Sequence, residues 1–141
     1  FLKAQGEKID FICTIYATAP FLQEKYLIEA YEKLKNSNVR NAFSCTSMPY
    51  PIQRTFKITQ ENRCEMFWPE NFMKRSQDLE EAYQDAGQFY WVNLNVISDD
   101  ITFGKDSIPI ILPRYLVQDI DTLEDWRRAE FMYEAIVRIS N

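Results

Sequence analysis

The sequence predicts an α/β domain, and three observations carry that prediction. A nearly unbroken apolar run, residues 9–16, is followed by an amphipathic helix and then by a second short apolar segment, residues 42–46. Strand, helix and strand of these lengths make a βαβ unit, normally right-handed and parallel. A later aromatic and β-branched run, Phe89-Tyr90-Trp91 with Val92, Leu94 and Val96, reads as a further strand. The chain then closes in a helix whose start is marked at Thr122, and alternating strands and helices is the pattern of α/β layers.

Taken in order, Phe1 to Lys8 reads as the tail of a helix closed by Gly6. The continuous run 9–16 suits a strand covered on both faces, as inside a parallel sheet. Ala17-Thr-Ala-Pro20 breaks it, and a helix follows from about Gln23 to Lys35. Its Leu27, Ala30, Tyr31 and Leu34 share one face, while Glu24, Lys25, Glu29, Glu32 and Lys33 supply the wet face. After a polar loop and the strand 42–46, Met48-Pro-Tyr-Pro51 stops the regular pattern. Residues 55–59 and 64–68 then pair as a hairpin across 60–63. Phe56, Phe67 and Trp68 there suit a buried subunit contact; covering the domain's own core is the competing reading.

The stretch from Lys74 to Trp91 is the organising one. It gathers Arg75, Gln77, Asp78, Asp85 and Gln88 ahead of the aromatic strand, with Gly87 just before it, where the backbone turns sharply or approaches a ligand. It reads either as polar groups presented at a sheet edge or as a solvated loop before a core strand. Ser107-Ile-Pro-Ile-Ile-Leu112 is a short strand whose Pro109 favours an edge or a bulge. In the last helix, Thr122-Leu-Glu-Asp125 fits the capping pattern, and Trp126, Ala129, Tyr133, Ile136 and Ile139 form a stripe expected to be core.

Composition narrows the function classes. The 141 residues allow one domain, and 46% hydrophobic content is enough for a sizeable core. A net charge of −5 without a basic run argues against nucleic-acid or membrane partners, though a single nucleotide needs only a local basic pocket. Cys13, Cys45 and Cys64 are widely spaced and read as reduced, mostly buried thiols of a cytoplasmic protein. No run is long enough to span a bilayer, and Phe1 opens no signal-peptide pattern. Histidine is absent, so any chemistry falls to carboxylates, Lys, Arg, backbone groups or a metal.

Two further features bear on chemistry. Asp119 and Asp121 alternate on an extended segment, so both carboxylates can meet one hard cation. Alternatively, Asp121 merely favours the following helix N-terminus. Arg75 offers a planar fork matched to a carboxylate or phosphate, or else is a surface arginine.

The motif RSQDLEEAYQDAGQFYW, from Arg75 to Trp91, resembles the signature of bacterial pseudaminic acid cytidylyltransferases, within the wider family of CMP-sialic acid synthetases. Three stretches fit that family in the same order: IYATAPF from Ile15, YPIQR from Tyr50 and VQDIDTLEDW from Val117. The resemblance implies a Rossmann-like nucleotidyltransferase fold with a mixed sheet and a β-rich dimerisation insertion, here residues 48–76. It also implies transfer of CMP from CTP to a nine-carbon sugar acid, pseudaminic acid, with release of pyrophosphate by a magnesium-dependent homodimer.

Residue by residue, it implies that Asp119 and Asp121 are the metal-binding pair and that Arg75 serves catalysis near the sugar-acid site. Tyr16, Arg54, Gln77, Asp78, Gln88 and Tyr90 join Arg75 as substrate-binding residues. Tyr16 stands where the sialic acid enzymes carry Gln and Ala17 replaces a proline, a departure that points to a different sugar. Arg54 stands near a Lys that in those enzymes reaches the neighbouring subunit's site. The family's phosphate and cytosine loop, with its Arg, Gly-Ser pair and Lys-Asn, has no counterpart here. Residues 1–141 are therefore expected to be the C-terminal part of a single cytidylyltransferase domain, the N-terminal part missing. The alternatives are a sialic, legionaminic or KDO cytidylyltransferase or, in another class, a non-catalytic dimerisation or interaction module.

Overall fold

The computed structural model describes residues 6–97 and 102–140, with side chains to residue 138. The chain divides into two compact units: one holds the chain up to Thr46 and again from Asp85, the other is Ser47–Gln84.

The first unit is built on a mixed sheet. Strands β1 (Phe11–Ile15), β2 (Asn41–Ser47), β5 (Tyr83–Asn93) and β6 (Ser107–Ile111) lie in the order β1-β5-β2-β6. β1 and β5 are antiparallel, Phe11 opposite Asn93 and Ile15 opposite Phe89. β6 runs parallel to β2, Asn41 opposite Ser107 and Cys45 opposite Ile111. Asn93 donates its N–H to the Arg40 carbonyl, while Gln88 and Phe89 donate theirs to the Ser44 hydroxyl, so β5 also runs against β2.

The expected βαβ unit is thus present, but β5 is inserted between its two parallel strands. The apolar run around β1 was expected inside a parallel sheet and is instead an antiparallel edge, with Ile15 half exposed. β2 holds the doubly covered position, its first six residues all buried. An unbroken apolar run shows that a strand can be covered on both faces, not which strand is. Pro109 lies on edge strand β6, where its missing N–H costs no ladder bond to a further strand.

Helix α1 (Glu24–Lys35) buries Ala30 and Leu34 completely. Tyr31 of the same stripe sets its ring 5.3 Å from that of Phe11 and 5.2 Å from that of Trp91, tying the helix to β1 and β5. With Ala42, Ala86, Phe89, Ile110 and Leu112 these side chains form the main core.

Helix α2 (Leu123–Ser140) begins in the expected box: Thr122 Oγ1 accepts the Asp125 N–H at 3.2 Å and Asp125 Oδ2 accepts the Thr122 N–H at 2.9 Å. The Thr122 hydroxyl, which donates to Asp125 Oδ2 at 2.7 Å, and then the Thr122 N–H hold the Asp125 carboxyl below its ordinary pKa. The expected stripe is corrected. Ala129 is buried and Met132 and Ile136 pack with Phe21 and Leu116, whereas Trp126 and Tyr133 are 55% and 61% exposed. Residues 126, 129 and 133 have the same spacing as 129, 132 and 136; helical period alone cannot choose between two stripes that share Ala129 and Ile136. The side chain of Ile139 lies outside the described residues.

The expectation of a helix tail over Phe1 to Lys8 falls largely on residues 1–5, outside those described. Gly6 has the positive φ, +82°, expected just past a helix end.

The second unit contains the expected hairpin. β3 (Phe56–Ile58) and β4 (Cys64–Met66) are antiparallel, with Lys57 and Glu65 directly opposite and ion-paired at 2.9 Å. Thr59 donates its N–H to the Arg63 carbonyl at 2.8 Å, and Asn62 takes the turn's positive φ of 57°. Phe56, Ile58, Phe67, Phe72 and Met73 are all more than half exposed, whereas Trp68 is 39% exposed with its ring 5.8 Å from that of Phe67. The thiols differ from expectation too: Cys45 is buried, Cys13 half-buried and Cys64 exposed.

Candidate functional site

The candidate site in the first unit starts from a local irregularity of β5. The sequence places Gly87 before a strand; the structure puts it inside one, with φ +61°. Gln88 and Phe89, consecutive residues, both donate to Ser44 Oγ, at 3.1 and 3.2 Å. Two successive N–H groups meeting one acceptor, with a glycine in the left-handed region, describe a β-bulge. Its effect is on side-chain parity. Asp85 and Tyr90, five apart, belong on opposite faces of a regular strand. The extra residue brings them together, and the Tyr90 hydroxyl donates a short hydrogen bond to Asp85 Oδ2.

A cavity of about 420 Å³ opens there, lined by Thr14, Tyr16, Asp85, Tyr90, Thr102 and Phe103. That volume is ordinary for a small-molecule site. Tyr16 and Tyr90 face each other with ring centroids 5.3 Å apart. Phe103 is anchored edge-on against Phe43 of β2 at 4.9 Å. Burial first, then the hydrogen bond and charge of Asp85, push the Tyr90 phenol well above the ordinary tyrosine range. Burial and the same carboxylate raise the Cys45 thiol to about 11. Asp85 thus acts on both the Tyr90 phenol and the Cys45 thiol.

Asp119 and Asp121 lie on the extended segment before α2, both exposed. Asp119 Oδ1 accepts the Ile120 N–H at 3.0 Å. A Cβ built on Gly87 would stand 3.9 Å from Asp119 Oδ2, so the D-x-D segment passes against the bulge. Among the described residues no three carboxylates, histidines or cysteines gather as a metal cage. The residues present fit magnesium better than zinc or calcium, because magnesium needs only one or two carboxylates and completes its shell with phosphate oxygens and water.

Gln88 is placed differently from its neighbours. It is buried, and its side-chain amide donates to the Leu116 carbonyl, so it ties β5 to the segment leading to α2.

The remaining candidates belong to the second unit. Arg75 forms a two-pronged pair with Asp78, Nε to Oδ2 at 2.8 Å and Nη2 to Oδ1 at 3.3 Å, with the arginine side chain 72% exposed. Arg54 donates from Nη2 to the Lys74 carbonyl, and Gln53 donates to the Glu80 carbonyl at 3.0 Å. Gln77 lines a cavity of about 260 Å³ with Met48, Tyr50, Ser76 and Leu79. The structure thus groups Tyr16 with Tyr90 and Asp119 with the bulge, and Arg75 with Asp78.

Sequence reasoning named Asp85 only among the polar groups of its stretch, and missed Thr14, Thr102 and Phe103 at the cavity. Asp85 carried a signal that was available: an acidic residue two before a strand glycine is placed to accept that glycine's N–H, as Oδ1 does at 3.0 Å. The bulge is testable by itself. Gly87→Ala meets no steric wall, so its cost is the left-handed backbone alone, about 1–2 kcal/mol. Urea unfolding of the variant should show that loss with an unchanged m-value.

No protein-family model matches the chain. Over 134 residues, 94% of this chain, it is 40% identical to proteins named pseudaminic acid cytidylyltransferase from two strains of Campylobacter jejuni. It spans 58% of the length of those relatives. It is 34% identical over 113 residues, 79% of this chain, to a Helicobacter pylori protein, of which it covers 22%. That protein is named pseudaminic acid cytidylyltransferase and UDP-2,4-diacetamido-2,4,6-trideoxy-beta-L-altropyranose hydrolase. The resemblance seen in the four sequence motifs therefore extends over nearly the whole chain.

Proposed function

From the premise that this chain is a relative of the pseudaminic acid cytidylyltransferases, we propose that it works as part of such an enzyme, transferring CMP from CTP to pseudaminic acid and releasing pyrophosphate. The observation that carries this reading is the 40% identity over 94% of the chain. Tyr16 and Tyr90, from two of the resembling motifs, line one polar-aromatic cavity, and Asp119 of a third lies against Gly87.

In this reading the sugar acid occupies the cavity between Tyr16, Tyr90 and Phe103. Its anomeric hydroxyl attacks the α-phosphorus of CTP in line, forming the new O–P bond as the bond to pyrophosphate breaks and the hydroxyl proton passes to solvent. Asp119 and Asp121 hold magnesium, which would neutralise charge on the phosphates. Arg75 of the second unit, held by Asp78, offers a guanidinium fork suited to a carboxylate or phosphate. CTP as substrate and free thiols suit a cytoplasmic setting. No helix among the described residues is long and apolar enough to cross a membrane.

The test is pyrophosphate release by the enzyme carrying these residues, given CTP, magnesium and one sugar acid at a time. Release with pseudaminic acid alone is expected. Equal rates with sialic, legionaminic or KDO-type acids would assign a broader or different substrate, and no release with any would leave a non-catalytic interaction module.

The exposed apolar face of the hairpin unit supports a homodimer built through residues 48–76. Phe67→Glu places a charge on that face, which a desolvated contact does not accommodate. Sedimentation should show the parent as a dimer and the variant as a monomer with unchanged melting temperature. An intact dimer in the variant moves the interface elsewhere.

A further inference from the structure

The two oxygens of Asp85 are spent on different partners. Oδ1 accepts the Gly87 N–H at 3.0 Å, and Oδ2 accepts the Tyr90 hydroxyl. A backbone N–H can only donate, so the first contact has a fixed direction, and an ionised carboxylate can only accept, so the second has one too. Tyr90 therefore gives its single proton to Asp85. What its oxygen turns away from Asp85, toward the Tyr16 hydroxyl that also interacts with it and toward the cavity lined by Thr14 and Thr102, is lone pairs.

We infer that Asp85 is a specificity-determining residue that holds Tyr90 as a hydrogen-bond acceptor, so that the ligand group meeting Tyr90 must be a donor, a hydroxyl or an amide N–H. The inference rests on reading the cavity as the sugar-acid site. A ligand carboxylate or carbonyl at that place would meet lone pairs, and is selected against. Partial burial and the Asp85 charge keep the phenol protonated, which keeps the arrangement in one direction through the neutral range.

Asp85→Asn tests the direction of the bond rather than its existence. The amide oxygen must stay on the Gly87 N–H, because that donor cannot reverse. The amide NH₂ then faces Tyr90 and donates to it, and the phenol proton swings into the cavity. An acceptor becomes a donor with no change of shape. In the enzyme carrying this chain, the KM for the sugar acid should rise roughly tenfold or more, the scale of one mismatched hydrogen bond in a shielded site. The KM for CTP should stay within about twofold, because the nucleotide does not meet Tyr90 in this reading.

A merely structural role is separated by a second background. If Asp85 acts through Tyr90, then Asp85→Asn adds nothing to the KM in a Tyr90→Phe enzyme. A rise of the same size in both backgrounds overturns the inference. Should Tyr90→Phe raise the KM and Asp85→Asn leave it alone, the cavity reading stands and the role of Asp85 falls. If neither variant moves the KM, the cavity is not the sugar site, and the inference falls with that reading.

Where Asp85→Asn does not fold, the unaltered enzyme answers with fluorinated sugar acids, in which fluorine replaces one hydroxyl and removes its donor. One position should weaken binding in the parent and not in Tyr90→Phe; no such position overturns the proposal.

Discussion

An enzyme bearing Asp121→Asn is expected to turn over at least about a hundredfold more slowly than its parent while melting at nearly the same temperature. Metal-assisted stabilisation of phosphate charge is worth several kcal/mol, and each 1.36 kcal/mol is tenfold in rate, so loss of a bridging carboxylate has an effect of that size. The fold should not notice. The helix start beside Asp121 is capped by Thr122 and Asp125, and Asp125 Oδ2 also accepts the Asp121 N–H at 3.3 Å. No hydrogen bond to the Asp121 carboxylate is found among the described residues, so an amide in its place disturbs no packing. Turnover and melting are measured on the same preparation over a magnesium titration. Full rate at ordinary magnesium would end the metal assignment, and a large fall in melting temperature would show that Asp121 matters to the helix instead.

How much of this was legible in the residues depends on which signal each feature left. The helix from Glu24 to Lys35, the hairpin and the cap at Thr122 each rest on local chemistry: an apolar stripe, a four-residue turn, a hydroxyl three before a carboxylate. All three are where the pattern put them. The place of each strand in the sheet is a long-range matter. Nothing in the run around Phe11–Ile15 says that β5 will pair with it antiparallel and leave it an edge. The same limit explains Trp126 and Tyr133, because which of two overlapping stripes is buried depends on what Phe21 and Leu116 present to the helix.

The candidate site shows the contrast more sharply. Tyr16 and Tyr90 were named from motif resemblance, and the fold does bring their rings together. Asp85 was gathered with the polar residues of its stretch but given no role, and regular strand parity would put it on the other face from Tyr90. A single left-handed glycine reverses that parity, and residue identities alone do not fix whether a strand glycine forms a turn or a bulge. Arg75 illustrates the opposite case. Its fork was expected to await an anion, and in this structure it grips Asp78 through two nitrogens. A sugar carboxylate that binds there has to displace or share that partner, and the exposure of the pair makes the exchange inexpensive.

The last expectation concerns the nucleotide affinity of these 141 residues by themselves. A triphosphate is usually cradled by backbone N–H groups of a glycine-rich turn running into a helix. Only three glycines are present, Gly6, Gly87 and Gly104, and no two are near each other. Of the two described helix starts, α1 opens with Glu24 in its first turn. α2 opens with Glu124 and Asp125, directly after Asp119 and Asp121, and its first N–H groups are already engaged by its own cap. The α2 N-terminus therefore faces a phosphate with negative side chains, which offsets the attraction of the helix dipole, and at α1 the charges of Glu24 and Lys25 cancel. Magnesium could bridge the D-x-D pair to the phosphates, but it gives up its water reluctantly and would bring few direct contacts. Calorimetry with magnesium and CTP on the 141-residue protein should accordingly find a dissociation constant in the millimolar range or weaker, on the order of a thousandfold above micromolar binding and so about 4 kcal/mol poorer. In the proposed reading, the cradle belongs to the portion of the longer relatives that the matched residues do not cover. Adding that portion of the Campylobacter jejuni protein, fused or as a separate fragment, should restore affinity. Micromolar binding without it would mean that a triphosphate site lies within these residues, and that the assignment of the cradle is wrong.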